Sequence, residues 1–452
     1  MSRVQVTREQ IDRYNKPGPR YTSYPTVPVW SHDFDELDYR TALASVAAQP
    51  DEDLSLYVHL PFCASRCAYC GCNATVTRHD HVVDAYLDRV ERELSIVAPL
   101  LGGRRRVTQM HWGGGTPNFI NAAQAERLVA MLDAAFLIDR NGEVALEMDP
   151  RIGTPEQVQH FRQLGFNRVS FGVQDINERV QVAIDRIQPF SQTAGLYAAS
   201  RAEGYGSVNL DLVYGLPYQT PELFGATLDA IIDLRPDRIA CFSYAHLPAR
   251  LPNQKRVDAA GLPSPYVKFA LFQQAVERLT DAGYTWIGFD HFALDSDEMA
   301  VAARERRLHR NFMGYTLRPA PHMVALGVSS ISDLGGCYIQ NDPGLGRYQK
   351  SLDAGKLPIE RGMRLTADDQ RRRAAISHLM CNLELPLALV VDEGLADSYA
   401  AVAAHTVDGL IDVEEDRLVV TDLGRYFIRI LCMELDAHLS QTAGKPIFSK
   451  TV

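Results

Sequence analysis

Four cysteines fall within ten residues in the segment Tyr57-Val-His-Leu-Pro-Phe-Cys63-Ala-Ser-Arg-Cys67-Ala-Tyr69-Cys70-Gly-Cys72-Asn-Ala74. Thiolates are soft ligands, and their spacing narrows the metal centre they suit. A structural zinc site would need a second Cys or His pair to complete four ligands. Cys72 follows Cys70 by only two residues, too close for the usual knuckle. A ferredoxin-type run is C-x2-C-x2-C with a further ligating cysteine, whereas the spacing here is C-x3-C-x2-C. Three thiolates on a four-iron cluster leave one iron open, and an open metal position is where a ligand can be bound and activated. The competing readings are a redox dithiol patch and an adventitious metal site. Cys241, Cys337, Cys381 and Cys432 are scattered and read as buried small hydrophobes.

Tyr69 adds an aromatic residue directly before the third cysteine. With it, the run resembles the signature of the radical S-adenosylmethionine (SAM) superfamily. The resemblance implies a [4Fe–4S] cluster on three cysteines, with SAM bound at the open iron.

The elements that must position these residues follow a strand–helix rhythm. β-rich runs at Ser55–Leu60, Gln109–Trp112, Glu143–Met148, Arg168–Val173, Val208–Val213 and Arg238–Tyr244 alternate with segments of helical period. The helices are expected at His81–Leu100, Ala122–Phe136, Pro155–Leu164, Glu178–Ile184, Gln192–Glu203 and Pro221–Leu234. This alternation means an α/β chain with a parallel sheet and helical crossovers. Periodicity leaves open a doubly wound plane or an incomplete barrel; the radical SAM resemblance favours a curved (β/α)6 partial TIM barrel.

Along the first run, alternation puts Leu56, Val58 and Leu60 on one face and Tyr57 and His59 on the other. A core histidine with satisfied nitrogens is the competing reading for His59. The second run enters Gly113-Gly114-Gly115-Thr116, where glycines let backbone amides approach a ligand and threonine adds a hydroxyl. The third ends in Glu147-Met-Asp149-Pro-Arg151, where a carboxylate suits an ammonium or a ribose. A surface charge or a helix cap before Thr154 is the alternative there. The fourth ends in Gln174-Asp175, and the fifth buries Asp211 in an apolar strand, costly unless it is hydrogen-bonded. Ligands of parallel α/β folds sit at the carboxyl ends of the strands, so these residues are expected around one mouth.

Composition narrows the class. A chain of 452 residues with 46% hydrophobic and 23% charged residues suits a large soluble enzyme core with additions. A net charge of −10 lacks the basic footprint of general nucleic-acid binding. No run has the length of a membrane span and the first residues have no apolar signal core. With eight cysteines the expectation is a reducing, cytoplasmic setting without membrane or nucleic-acid partners.

Further segments carry a closer resemblance. They are Gly18-Pro-Arg20-Tyr21-Thr-Ser-Tyr24-Pro25, Tyr244-Ala245-His246-Leu-Pro248, Gly288-Phe-Asp290-His291, Leu308-His-Arg310-Asn311-Phe312, Leu326-Gly-Val-Ser-Ser330-Ile331 and Phe448-Ser. In this order, with the cysteine run, they resemble the oxygen-independent coproporphyrinogen III oxidases of the HemN type across nearly the whole chain. Carried over, that resemblance implies Cys63, Cys67 and Cys70 as cluster ligands. It also implies Tyr57, Gly114 and Glu147 as contacts of the SAM on the cluster. A second SAM would meet Tyr69, Gly115, Thr116, Gln174, Arg186, Asp211, Ala245 and Ile331. Tyr57, His59 and Cys72 are the expected catalytic positions, with Cys72 near the cluster without ligating it. One departure is Met313, where the family pattern has Gln before Gly314.

The implied reaction is oxidative decarboxylation of two propionates of coproporphyrinogen III to vinyl groups by a 5′-deoxyadenosyl radical, giving protoporphyrinogen IX. It requires an external one-electron donor such as a flavodoxin or ferredoxin system; a monomer is expected. Two alternatives remain, a HemN-like radical SAM methyltransferase or cyclopropanase, and a haem-binding relative. Arg20, Arg151, Arg186 and Arg310 are candidates for the substrate carboxylates. The expected organisation is an N-terminal arm (1–35), the barrel with its extension (36–360) and a mainly helical, winged-helix-like C-terminal domain (361–452). In the last, Thr366 caps a helix whose Arg371-Arg372-Arg373 run reads as a solvated face. A hairpin within Gly409–Gly424 follows, then a helix over Arg425–Leu439. Asp412, Glu414, Glu415 and Asp416 on the hairpin would repel phosphates.

Overall fold

A computed structural model describes residues 4–318, 320–390, 394–442 and 447–451. Its framework is a twelve-stranded sheet. Six strands follow the expected order: β1 (Leu54–Leu60), β2 (Arg105–Gly114), β3 (Phe136–Met148), β4 (Arg168–Gln174), β5 (Ser207–Tyr214) and β6 (Arg238–Ser243). They are mutually parallel, and each lies beside its predecessor. A doubly wound sheet would reverse direction at a switch point. An unreversed order with right-handed crossovers sends every helix to the same side, so the sheet curls toward a barrel.

The crossover helices are α1 (Asp80–Leu100), α2 (Ala122–Ala135), α3 (Pro155–Gln163), α4 (Glu178–Ala183), α5 (Phe190–Ala202) and α6 (Pro221–Leu234). Asn121, Thr154, Asn177 and Thr220 accept backbone N–H groups at the starts of α2, α3, α4 and α6, which satisfies donors a helix start leaves unpaired. Thr154 is thus a cap.

Six more strands close the two edges: β7 (Tyr284–Gly288), β8 (His291–Leu294), β9 (His322–Leu326), β10 (Ile331–Leu334), β11 (Cys337–Asn341) and β12 (Ile359–Arg364). β9 runs parallel to β1 on the side away from β2, and β10, β11 and β12 continue antiparallel. β8 and β7 extend beyond β6, also antiparallel.

Register sorts the residues by face. Across β1 and β2, Tyr57 stands opposite His111 and Leu56 opposite Met110; across β4 and β5, Gly172 stands opposite Asp211 and Phe171 opposite Leu210. Paired residues share a face. Leu56, Val58, Met110, Trp112, Leu146, Phe171 and Leu210 therefore meet the helices in the main core. Tyr57, His111, Glu147, Ser170 and Asp211 occupy the opposite face.

A second core joins both ends of the chain, with Ile11, Tyr14, Tyr21 and Tyr24 packed among Ile376, Leu379, Leu385, Leu418 and Leu431. The N-terminal segment is therefore more than an extended arm: it contains a helix, Arg8–Tyr14, and shares a core with the C-terminal elements. Those elements include the helix Ala367–Asn382, capped by Thr366, and a small sheet of Glu384–Pro386, Ile411–Val413 and Arg417–Val420. Two local expectations fail. The last helix is broken into Asp422–Tyr426 and Ile428–Met433 at Phe427, whose ring is buried against Tyr14 and Phe269. The arginine run is also not a solvated face. Arg372 reaches Asp368, Ser398 Oγ and the Leu435 carbonyl, and Arg373 pairs with Asp333 over the Tyr338 ring.

Candidate active site

The carboxyl ends of β1–β6 open into a cavity of about 480 Å³. Cys63, Cys67, Cys70 and Cys72 line it, together with Tyr69, Gly114, Gly115, Thr116, Glu147, Gln174, Arg186, Asp211 and Ala245. All eight cysteines are free thiols, and Cys241, Cys337, Cys381 and Cys432 are buried as expected of small hydrophobes.

The cysteine loop is held from both sides. On one side, Phe62–Cys63 pairs with Thr75–Val76, and Ala68 N–H donates to the Ile184 carbonyl. On the other, the Asn253 amide donates to the carbonyls of Cys67, Ala68 and Cys70 at 3.3, 3.1 and 2.8 Å. The Gln254 amide reaches those of Tyr69 and Ala245 at 2.9 and 3.1 Å. The thiols differ in environment. Hydrogen bonding by the Cys72 side chain holds the Cys70 thiol down at about 6, assisted by Cys72 N–H at 3.4 Å from Cys70 Sγ. The same pairing pushes the Cys72 thiol well up. Burial pushes Cys63, whose Sγ lies 3.2 Å from Thr116 Oγ1, up to about 11.

Cys67 faces two cations. Arg151 Nη2 lies 3.4 Å and Arg186 Nη1 3.7 Å from its Sγ. Both guanidinium groups also close on Asp149: Arg186 through both terminal nitrogens at 3.2 and 3.1 Å, Arg151 with its closest contact at 2.6 Å. Among the described residues no His/Cys/Asp/Glu group converges tightly enough to hold a single metal ion. Four free thiols around one cavity, with cations against one sulfur, fit a cluster whose irons are held separately.

The adjoining strands supply a second network. Tyr57 O–H donates to His59 Nδ1 at 3.1 Å, and His59 Nε2 lies 3.0 Å from the Asn73 carbonyl, so Nε2 carries the proton. Burial lowers the His59 pKa, keeping the ring neutral. Tyr57 stacks on His111, which bonds Glu147 at 3.2 Å. Gly114 N–H donates to the other Glu147 oxygen at 3.3 Å. Burial opposes ionisation of Glu147, but His111 and this N–H outweigh it and lower its pKa. Gly114 is required twice: its φ is +116°, and a Cβ there would stand 2.6 Å from the His59 ring. Asp211 accepts from Ser170 Oγ at 3.1 Å and Asn209 Nδ2 at 2.7 Å, and burial raises it to about 7. Gln174 bends into the cavity with φ +68°, a costly conformation for a residue with a side chain.

Three expected positions stand apart from the lining. Tyr57 and His59 reach it through His111, Glu147 and Gly114, while Ile331 packs with Trp30 and Tyr338. Met313 lies in the turn between His309–Asn311 and Gly314–Thr316, its N–H on Asn311 Oδ1, and is absent from the lining.

Known proteins share the sequence and the fold of this chain. Residues 57–231 match the Radical SAM superfamily. Over 449 residues the chain is 44% identical to the oxygen-independent coproporphyrinogen III oxidase of Escherichia coli (strain K12), aligning 98% of this chain and 97% of the relative. The chain belongs to that family. The enzyme of the same name from Synechocystis sp. is 40% identical over 460 residues, covering 99% of this chain and 98% of the relative. A solved structure, the Escherichia coli coproporphyrinogen III oxidase HemN described as a radical SAM enzyme, superposes with a TM-score of 0.89. It is 43% identical, with 93% of this chain and 97% of that one covered. The family's radical SAM fold is therefore the fold of this chain, and the [4Fe–4S] cluster and SAM are the cofactors it implies.

Asn253, Gln254 and Asp149 are the site residues that sequence reasoning did not assign. The first two lie 183 to 186 residues from most of the loop atoms they hold. Only the short polar stretch after Tyr244-Ala245-His246 hinted at them.

Proposed function

We propose that this chain catalyses the oxygen-independent oxidative decarboxylation of two propionates of coproporphyrinogen III, giving protoporphyrinogen IX. The observation that carries it is the convergence of Cys63, Cys67 and Cys70 with the polar strand ends on one cavity, in a chain of this family. When bound, the cluster and SAM supply the 5′-deoxyadenosyl radical that removes the β-hydrogen of a propionate.

The chain's own part is to hold and orient. Cys63, Cys67 and Cys70 ligate the cluster. Cys72, kept as a thiol by its contact with Cys70, stays beside it. The charged Glu147 carboxylate and the Gly114 backbone form the seat for the ammonium of SAM, with Tyr57 stacked behind on His111. Asp211 and Gln174 suit ribose hydroxyls. A second SAM would lie against Tyr69, Gly115, Thr116, Gln174, Arg186, Asp211 and Ala245 in the same cavity, with Ile331 packed on Trp30 and Tyr338 outside its lining.

The four candidate arginines separate by their partners. Arg151 and Arg186 are committed to Asp149, and Arg310 donates to the carbonyls of Arg20 and Tyr21 away from the cavity lining. Arg20 donates to the Ser243 carbonyl at 2.7 Å and reaches Asp290 at 3.4 Å, but it is part of the lining, with its side chain 30% exposed. We assign it to a substrate carboxylate. The reading places the chain in the cytoplasm as a monomer fed by an external one-electron carrier. We further propose the division into arm, barrel and C-terminal region given above.

The test is anaerobic reconstitution with iron and sulfide, then addition of SAM, dithionite and coproporphyrinogen III, with products followed by mass. Stepwise loss of two carboxyl groups supports the reading. Methylated or cyclopropane-containing product would replace it.

A further inference from the structure

The three proposed cluster ligands stand in unequal surroundings. Cys63 Sγ lies 3.2 Å from the Thr116 hydroxyl, and Cys70 Sγ accepts the Cys72 N–H at 3.4 Å, both uncharged groups. Cys67, which is buried, instead faces guanidinium N–H groups, from Arg151 at 3.4 Å and Arg186 at 3.7 Å. Arg66, within the loop itself, directs its terminal N–H groups to the carbonyls of Cys72 and Ala74. Among the described contacts, charged hydrogen bonds reach one sulfur of the three.

Asp149 braces both forks. Arg151 Nε lies 3.1 Å from each Asp149 oxygen, and its Nη2 is shared between Asp149 Oδ2 at 2.6 Å and the Cys67 sulfur. Arg186 Nη1 is shared in the same way, at 3.2 Å from Oδ2, while its Nη2 holds Oδ1 and the Gly172 carbonyl. Two guanidinium groups against one carboxylate leave one net positive charge beside Cys67. Ligation of iron by Cys67 needs the sulfur but none of these N–H groups. An electron added to an iron–sulfur cluster increases the negative charge on its sulfurs. Donors and positive charge beside a sulfur therefore favour the reduced form; net charge and hydrogen bonds to sulfur are among the factors that set such potentials. All three side chains are largely buried, so salt screens the effect little.

We propose that Arg151, braced by Asp149, raises the reduction potential of the [4Fe–4S] cluster by donating to the Cys67 thiolate. The assignment rests on the reading of Cys67 as a cluster ligand. Arg151 acts through that sulfur and touches no reacting atom; the cluster gains one electron from its reductant and no atom is transferred. Asp149 has a double part: it aims both forks, and its own charge limits how far they raise the potential. Loss of Arg151 and loss of the Asp149 charge must then shift the potential in opposite directions, although each breaks the same salt bridge.

The test is a potentiometric titration of the reconstituted holoenzyme, anaerobic and without SAM, following the EPR signal of the reduced cluster. Arg151→Met should lower the equilibrium constant for reduction at least tenfold, a shift of about 59 mV for one electron. Arg151→Lys, which keeps a charge, should fall between it and wild type, and Asp149→Asn should shift the potential upward. Arg106→Met, at the opposite end of β2 in an exposed pair with Asp139, should leave it unchanged. An unshifted Arg151→Met protein with wild-type iron content overturns the proposal. A downward shift in Asp149→Asn also overturns it, since breaking the network, not removing the charge, would then move the potential. An equal shift in Arg106→Met does the same. If Arg151→Met takes up no iron, Arg151→Lys against Asp149→Asn reads the same opposition, and equal potentials in that pair overturn it. Wild-type iron content in Cys67→Ser overturns the ligand reading beneath it, and iron analysis tells the two failures apart.

Discussion

At the cysteine end of the cavity, Arg151 and Arg186 close on the single carboxylate of Asp149, each within 3.1 Å. At the arm end, Arg20, Arg310, Arg429 and Lys268 all surround Asp290, and only Arg20 bonds it, at 3.4 Å. The remaining donors go to backbone carbonyls: Arg310 to Arg20 and Tyr21, Arg429 to Gly18, Pro19 and Ser449, Lys268 to Tyr244. Carbonyls satisfy hydrogen bonds without cancelling charge. The first end is a closed network that fixes geometry. The second gathers excess positive charge behind Arg20, the one of these four that lines the cavity, which suits a polycarboxylate substrate. Burial and the neighbouring cations pull Lys268 down to about 8, a sign of how crowded that charge is.

Substitutions at the two ends should therefore fail differently. The largest effect is expected for Cys63→Ser, Cys67→Ser or Cys70→Ser, each of which should abolish the cluster by iron analysis, whereas Cys72→Ser keeps it. Iron lost with Cys72 would show that the ligand set is wrong. Next, Arg186→Met breaks a buried pair and leaves Asp149 half-served; unfolding of the apoprotein should become easier by about 3 kcal/mol. A change below about 1 kcal/mol would mean that Arg151 alone satisfies Asp149.

A pH experiment reads the same end. Asp211 has a folded-state pKa of about 7, above the ordinary carboxyl value, because of burial and then Glu147. Its favourable contribution is present below the unfolded value and is lost as pH rises through 7. Wild-type apoprotein should lose on the order of 2 kcal/mol relative to Asp211→Asn between pH 5 and 8. Parallel stability curves would contradict that.

At the arm end, Arg20→Gln removes the ion pair of buried Asp290 and should lower stability by about 1–3 kcal/mol while leaving SAM cleavage nearly unchanged. It should raise KM for coproporphyrinogen III about tenfold, the scale of one charge-assisted hydrogen bond. Unfolding of this variant would move Arg20 into the structural class. The smallest effect is expected at Met313: outside the cavity lining, Met313→Gln should change turnover by a factor of about five or less. A gain of a hundredfold would favour the methyltransferase or cyclopropanase alternative.

Much of the barrel was legible because its signals are local. Five of the six strand runs and all six helices fall within a few residues of their elements, since alternation and helical period are set by neighbours in sequence. The third strand is the exception, starting at Phe136 rather than Glu143. Its first half carries Asp139, Arg140 and Asn141, which mask the apolar pattern. The edge strands β7–β12 went unmarked. They are short, and their pairing partners lie far away, as β9 beside β1 shows. The β10–β11 hairpin alone had a readable turn, Gly335-Gly336, both with positive φ. The break at Phe427 was invisible because it depends on a ring packing against residues from other parts of the chain.

By itself the sequence carried the chemical signal: three thiols at the spacing of the radical SAM signature, and polar residues at successive strand ends. Those are properties of residue type and of a two-residue period, so no distant contact was needed to read them. The tertiary structure decided which of the arginines face the cavity, that Asn253 and Gln254 clamp the cysteine loop, and that Ile331 and Met313 stand aside. Arg310 competes for the carbonyls of Arg20 and Tyr21 across 290 and 289 residues, and the Asn253 and Gln254 amides for those of the cysteine loop across 183 to 186. That competition is settled only when the curled sheet and the two chain ends are packed together.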